Sequence, residues 1–239
     1  MSAAPVDDRR ATVSPGEAVG RAAAQLTVAT GPHDLCRPFV EAFAVSGAVI
    51  STLGDPLGSE TVCASDATAA RIDEIQIDLG EGPCWNALES RRPVLEQDRQ
   101  RRRDDWPAAH EALAQLHLGA LFAFPLHVGD LAVGSLDLYS TARRRLTPVQ
   151  VEDITALASI AARQVLRRAL AELVDGEEGI ADGRFSRREV HQASGMVAAQ
   201  LRIDVDDALV VLRAHAFAHG RSVREVAADV VERRLVFRS

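Results

Sequence analysis

All 27 basic side chains of this 239-residue chain are arginine, and lysine is absent. A guanidinium is a planar, permanently charged fork that suits phosphate and carboxylate. Abundance alone says little, because so much Ala with no Lys reads as the product of a GC-rich coding genome. Distribution says more. Residues 184–239 hold ten Arg against seven Asp and Glu, a formal +3, whereas the first 183 hold 17 against 27, a formal −10. The asymmetry divides the chain into two domains with different tasks. Three small residues in a row, Ala193, Ser194 and Gly195, leave room for another backbone or a base to approach. A helix-interior Gly costs about 0.8–1 kcal/mol against Ala, so Gly195 calls for a reason, and close helix packing is the competing one.

Other chemistry is poorly provided for. Cys36, Cys63 and Cys84 are odd in number and show neither CxxC nor Cys/His metal spacing, which predicts reduced, buried thiols. His191, His215 and His219 form no metal constellation and read as packing or surface groups. Gly80-Glu81-Gly82-Pro83 lacks the lysine of a phosphate loop and reads as a turn. Cys84, near a helix start, is the one feature that favours an enzyme. No Ser/His/Asp arrangement supports one, and the expectation is a protein without catalytic residues.

The elements that must position these groups follow from pattern and punctuation. Apolar residues make up 47% and charged residues 26%, ordinary for a globular chain and too apolar for disorder. The start, MSAAPVDDRR, lacks the features of a signal peptide, and Leu116 to Val128 is too short and polar to span a membrane, so the expected location is cytoplasmic. Val19 to Leu26 and Leu35 to Ala44 read as amphipathic helices. Ala48 to Thr52 and Glu60 to Ala64 read as strands, and Ala67 to Ile77 as helical or mixed. Pro83 suits a helix start, Arg92 to Gln97 reads as a strand and Asp105 to Leu116 as a helix. Ala120 to Val128 and Leu131 to Tyr139, joined by Gly129-Asp130, form the clearest hairpin. Helices mixed with antiparallel strands favour an α+β sheet domain. Thr147-Pro148-Val149-Gln150 opens a long helix, expected to run to about Leu173. Ile154, Ala158, Ala161, Val165 and Ala169 share one face, and Leu157, Leu166, Leu170 and Leu173 widen it beyond what one domain would use. That surplus predicts a homodimer.

Beyond the short acidic run from Asp175 to Gly179, three helix starts are marked. Ser186-x-x-Glu189 and Ser222-x-x-Glu225 read as capping boxes, and Asp204-x-x-Asp207 as a weaker relative. They predict helices over 187–201, 205–219 and 223–235, with Gly220 closing the second. Val190, Ala193, Val197 and Leu201 line the first. Ala208, Val211, Leu212 and His215 or Ala216 line the second, and Val223, Val226, Ala227 and Val230 the third.

The run His191-Gln192-Ala193-Ser194-Gly195-Met196, with Ala208-Leu209-x-x-Leu212-Arg213-x-x-Ala216 and Val223-Arg224-Glu225-Val226-Ala227, closely resembles the ANTAR family of RNA-binding transcription antitermination regulators. Ser194 stands where many members carry a basic residue. Upstream, Leu79-Gly80-Glu81-Gly82-Pro83-Cys84, Trp106-Pro107, Phe124-Pro125-Leu126 and Gly134-Ser135-Leu136-Asp137-Leu138-Tyr139 are similar to GAF domains, as fused to ANTAR modules in actinobacterial regulators.

The resemblance implies a GAF-like sensory or dimerisation domain over 12–173, a linker over 174–184 and an ANTAR-like three-helix bundle over 185–237. It implies a dimer that binds RNA hairpins in nascent transcripts and favours read-through. RNA contacts are then expected from Arg187, Arg188, Ala193, Gly195, Met196, Arg202, Arg213, Arg221 and Arg224, with Arg213 the leading candidate because the family pattern also carries Arg or Lys there. Only Phe217 and Phe237, with Phe185 at the border, offer rings, so base stacking on aromatics does not dominate. A DNA-binding regulator is the alternative reading. A small-molecule pocket in the GAF-like domain would draw on Cys63, Trp85, Trp106, Phe122 or Phe124; its ligand, and any cofactor, are unknown from the sequence.

Overall fold

In the computed structural model, residues 14–54, 56–97, 105–175 and 187–238 are described, with the side chains of 172–175 excepted. The leading MSAAPVDDRR, the side chain of Leu173, Ser186 and most of the expected linker lie outside the described residues.

Five strands form one antiparallel sheet in the order β2-β1-β5-β4-β3: β1 (Gly47–Thr52), β2 (Glu60–Ala64), β3 (Val94–Glu96), β4 (Ala120–Val128) and β5 (Leu131–Ser140). The β4–β5 hairpin pairs Phe122 with Leu138 and Phe124 with Leu136, and turns at Gly129, whose φ of 60° suits a residue without Cβ. Alternation sends Ile50, Phe122, Phe124, Leu136 and Leu138 to one face. There they meet α1 (Pro15–Thr27), α2 (His33–Phe43) and α6 (Pro148–Asp175). The opposite face places Val49, Leu121 and Tyr139 against α3 (Ala67–Leu79) and α5 (Pro107–Ala114). The remaining helix of this unit is α4 (Pro83–Ser90), begun by its proline.

The α6 start has the expected capping box: Gln150 N donates to Thr147 Oγ1 and Thr147 N to Gln150 Oε1. Its apolar face is consumed more fully at home than expected. Ile154, Leu157, Ala158, Ala161, Ala162 and Val165 join the core, Leu166 packs against it, and Leu170 remains 53% exposed. Among the described residues no helix is long and apolar enough to cross a membrane.

Reduced thiols throughout is an expectation the structure corrects. Cys36 on α2 and Cys63 on β2 form a disulfide with Cα atoms 6.3 Å apart. Their 27-residue separation gives no local signal, because the contact depends on α2 lying beside an edge strand. Only Cys84 is free, and it is buried.

The C-terminal unit comprises α7 (Arg188–Leu201), α8 (Val205–Ala218) and α9 (Val223–Val231). Val190, Ala193, Val197, Ala208, Leu212, Ala216, Val223, Val226, Ala227 and Val230 make its core, close to the expected set. Ser222 and Glu225 form a complete capping box, and Asp204 caps α8. The α7 start differs: Arg187 is its N-cap and gives no side-chain cap bond.

Candidate nucleic-acid interface

Packing of α7 settles which of its side chains reach solvent. Val190, Ala193 and Val197 point inward, which leaves Arg188, Gln192, Gly195, Ala199 and Arg202 exposed along the outer side. Those positions recur every three or four residues, so they form one stripe. Its ends are arginines whose Cα atoms lie about 21 Å apart at 1.5 Å per residue, with Gln192, Gly195 and Ala199 between them. A Cβ built on Gly195 would meet nothing within 4 Å, so helix packing does not explain the glycine. The small-residue patch of the sequence reading is thereby corrected. Ala193 is 0% exposed in the bundle core, and Ser194 is buried with its hydroxyl donating to the Val190 carbonyl. Met196 is half-buried against the same core. Gln192 and Ala199 share this stripe without having been expected in the site, although helical period from Gly195 points to both.

The other expected arginines divide. Arg221 is exposed and held within the bundle, donating to the Glu225 carbonyl and pairing with Asp229 at 2.7 Å. Arg187 is buried, pairing with Asp78 of α3 at 2.5 Å. Arg213 is half-buried; its Nη2 donates to the Ile77 carbonyl at 3.1 Å. Burial, with Arg187 next and Asp78 opposing, lowers the Arg213 pKa. Arg224 lies in a cleft of about 690 Å³ with Arg187, Asp66 and Glu74. A second cleft, about 500 Å³, lies between Ile75, Leu79 and Leu116 on one side and Arg213, Phe217 and Arg221 on the other.

The five residues expected to line a ligand pocket do not converge. Cys63, Phe122 and Phe124 are buried on the α1–α2–α6 face of the sheet, Cys63 within the disulfide. Trp106 packs on the opposite face, and Trp85 packs near Cys84 with its indole N–H on the Gln76 carbonyl. Neither cleft contains any of the five. The GAF-like unit also buries a polar cluster. Gln76 donates to Asp137 at 2.6 Å and accepts from the Cys84 backbone N–H, while Thr61 donates to Asp73 at 2.5 Å. Desolvation raises Asp73 to about 6 and Asp137 to about 7, against hydrogen bonds from Thr61 and Ser51 on the first and from Ser135 and Gln76 on the second. Gly82, at φ 135°, sits where a Cβ would meet the Gln76 amide at 2.7 Å, so the turn admits only glycine. Ser135, Asp137 and Cys84 stand in runs that carry the GAF resemblance, but their joining with Gln76 was not legible, because burial of Asp137 depends on a strand and a helix meeting across 61 positions.

A GAF domain model matches residues 29–166 and an ANTAR domain model matches residues 185–231. The chain belongs to the GAF domain family and, with the ANTAR domain that follows, is a GAF–ANTAR regulator. No curated protein matches the sequence. Two similar solved structures show the fold of the first unit. The chromophore-binding domain of the bacteriophytochrome RpBphP3 from R. palustris is 12% identical with a TM-score of 0.52, over 70% of this chain and 65% of that one. The GAF domain of a phosphoenolpyruvate-protein phosphotransferase from Coxiella burnetii is 13% identical with a TM-score of 0.50, over 69% and 97%.

Proposed function

We propose that this chain is an RNA-binding transcription antitermination regulator whose ANTAR bundle takes RNA hairpins on the outer stripe of α7. The observation that carries the reading is that stripe: arginines at both ends, uncharged Gln192, Gly195 and Ala199 between them, and Gly195 in open space. Hairpin loops present unstacked bases and phosphates that a low-relief cationic face can approach. In this reading Arg188, Arg202 and Gly195 form the first contact, with Met196 at the margin and Arg221 toward the side. The GAF domain senses a signal or serves as a dimerisation platform, and the protein works as a cytoplasmic homodimer without catalytic chemistry. Cys84 supports the last point, because burial pushes its thiol well above the ordinary value and so away from the reactive thiolate.

The test is titration of the full chain with a pool of RNA stem-loops carrying a randomised loop, beside duplex DNA at the same salt. RNA should bind and lose affinity as salt rises, with a slope of roughly 0.7 per phosphate contact. Arg202→Ala should weaken binding and flatten the slope by about one such contact. Preference for duplex DNA would favour the alternative regulator, in which the three helices read a groove.

A further inference from the structure

The last turn of α3 touches all three helices of the ANTAR bundle. Asp78 Oδ1 accepts from the Arg187 guanidinium at the start of α7 at 2.5 Å, and Oδ2 accepts from the Val223 backbone N–H at 2.9 Å. That N–H is among the unsatisfied donors of the first turn of α9, so a GAF carboxylate caps an ANTAR helix. The neighbouring Ile77 carbonyl accepts from Arg213 on α8, whose guanidinium lies over Gly80. An acid is poorly placed in the last turn of its own helix, where the dipole is negative. Asp78 therefore does little for α3. It serves the bundle.

Three arginines expected to contact RNA face the GAF domain in this arrangement. Arg187 is spent on Asp78, Arg213 on Ile77, and Arg224 lines the cleft that holds Asp66 and Glu74. His191, one position before the outer stripe's Gln192, comes within 3.9 Å of Glu60. A phosphate backbone at the N-terminal half of α7 would meet those acids. The contact is polar and made at one helix end, the kind of interdomain interface that opens readily.

We propose that the GAF domain holds the ANTAR bundle docked through Asp78, in competition with RNA for Arg187 and Arg213. The proposal rests on the RNA-binding reading above and adds its regulation. Docking by the acidic GAF domain leaves the outer stripe as a weak first contact. Release lets the two arginines join it, and RNA in turn favours the released form, since coupling between two sites is reciprocal.

The experiment compares the full chain with its Asp78→Ala variant in two measurements. Small-angle scattering reports docking, because the radius of gyration grows when the bundle leaves; the Val223 amide would lose its acceptor with the substitution itself. Titration with the randomised-loop stem-loop pool over a salt series reports RNA. Asp78→Ala should enlarge the radius of gyration, tighten RNA about tenfold, within the roughly 5- to 150-fold range of such couplings, and steepen the salt slope by about 1.4 for two added phosphate contacts. Thermal melting of the variant guards against misfolding, and Asp78→Asn, of the same shape, should show the same direction more weakly. If the radius grows while affinity and slope stay at the parent values, docking does not restrain RNA and the proposal falls, with RNA binding itself intact. A radius equal to the parent's would mean that Asp78 does not hold the bundle. Absence of RNA binding by both chains, with the radius enlarged in the variant, would instead sink the RNA reading and the proposed regulation with it.

Discussion

Gly195 sits in the middle of α7, where any side chain would favour the helix more, and no neighbour forbids one. Gly195→Ala should therefore raise stability by about 1 kcal/mol, read as a higher melting temperature, while RNA affinity falls because the methyl occupies ligand space. A variant that melts lower would mean that the glycine serves packing. The buried carboxyls give a second residue-scale expectation. Both pKa values lie above the ordinary value of 3.8, Asp73 at about 6 and Asp137 at about 7, and desolvation is the leading cause. A carboxyl raised on folding contributes its stability below pH about 4 and loses it as pH climbs through its folded value. Unfolding free energy should thus decline between about pH 4 and 7, by on the order of 3 kcal/mol for Asp73 and about 4 kcal/mol for Asp137 at about 1.4 kcal/mol per unit. Asp137→Asn keeps the shape, can still accept from Gln76, and can donate to Ser135. It should stabilise the protein at pH 8 and flatten the decline. Parallel stability–pH curves for parent and variant would show that Asp137 does not titrate in that window.

At the scale of elements, α6 carries the expectation of assembly. Its core-facing side is occupied by its own sheet, and what remains is the flank of Leu166 and the exposed Leu170. Replacing both with Asp should convert a dimer to a monomer by light scattering if that flank is the interface. A parent chain already monomeric at micromolar concentration would contradict dimerisation outright. The disulfide between α2 and β2 closes a loop whose length suggests a contribution of roughly 3 kcal/mol, so the full chain should melt lower in excess reductant. Reduction without any change in melting would deny the bond a structural role. Elements of this kind were legible to different degrees. The β4–β5 hairpin and the α6 start announce themselves through Gly129-Asp130 and Thr147-Pro148, which act within a few residues. The bundle core was legible because amphipathic period is local to each helix. The disulfide, the buried Asp73 and Asp137, and the partners of Arg187 and Arg213 were not, since each depends on elements far apart in sequence. Even Ser194 deceives: a polar residue beside Gly195, it turns inward to bond its own helix.

For the whole molecule, the charge asymmetry read from the sequence acquires a geometry. The acidic GAF unit meets the basic bundle through the last turn of α3, and the arginines nearest that turn are engaged there. The outer stripe of α7 stays exposed in this arrangement. Cross-linking maps the proposed RNA face on this stripe. Stem-loop RNA from the randomised pool, carrying 4-thiouridine in the loop, would be bound to the full chain, irradiated and digested, and the attached peptides read by mass spectrometry. Cross-links should concentrate between Arg188 and Arg202, at Gln192, Gly195 and Ala199 above all. Cross-links confined to α8 and α9, or to the GAF domain, would contradict the assignment.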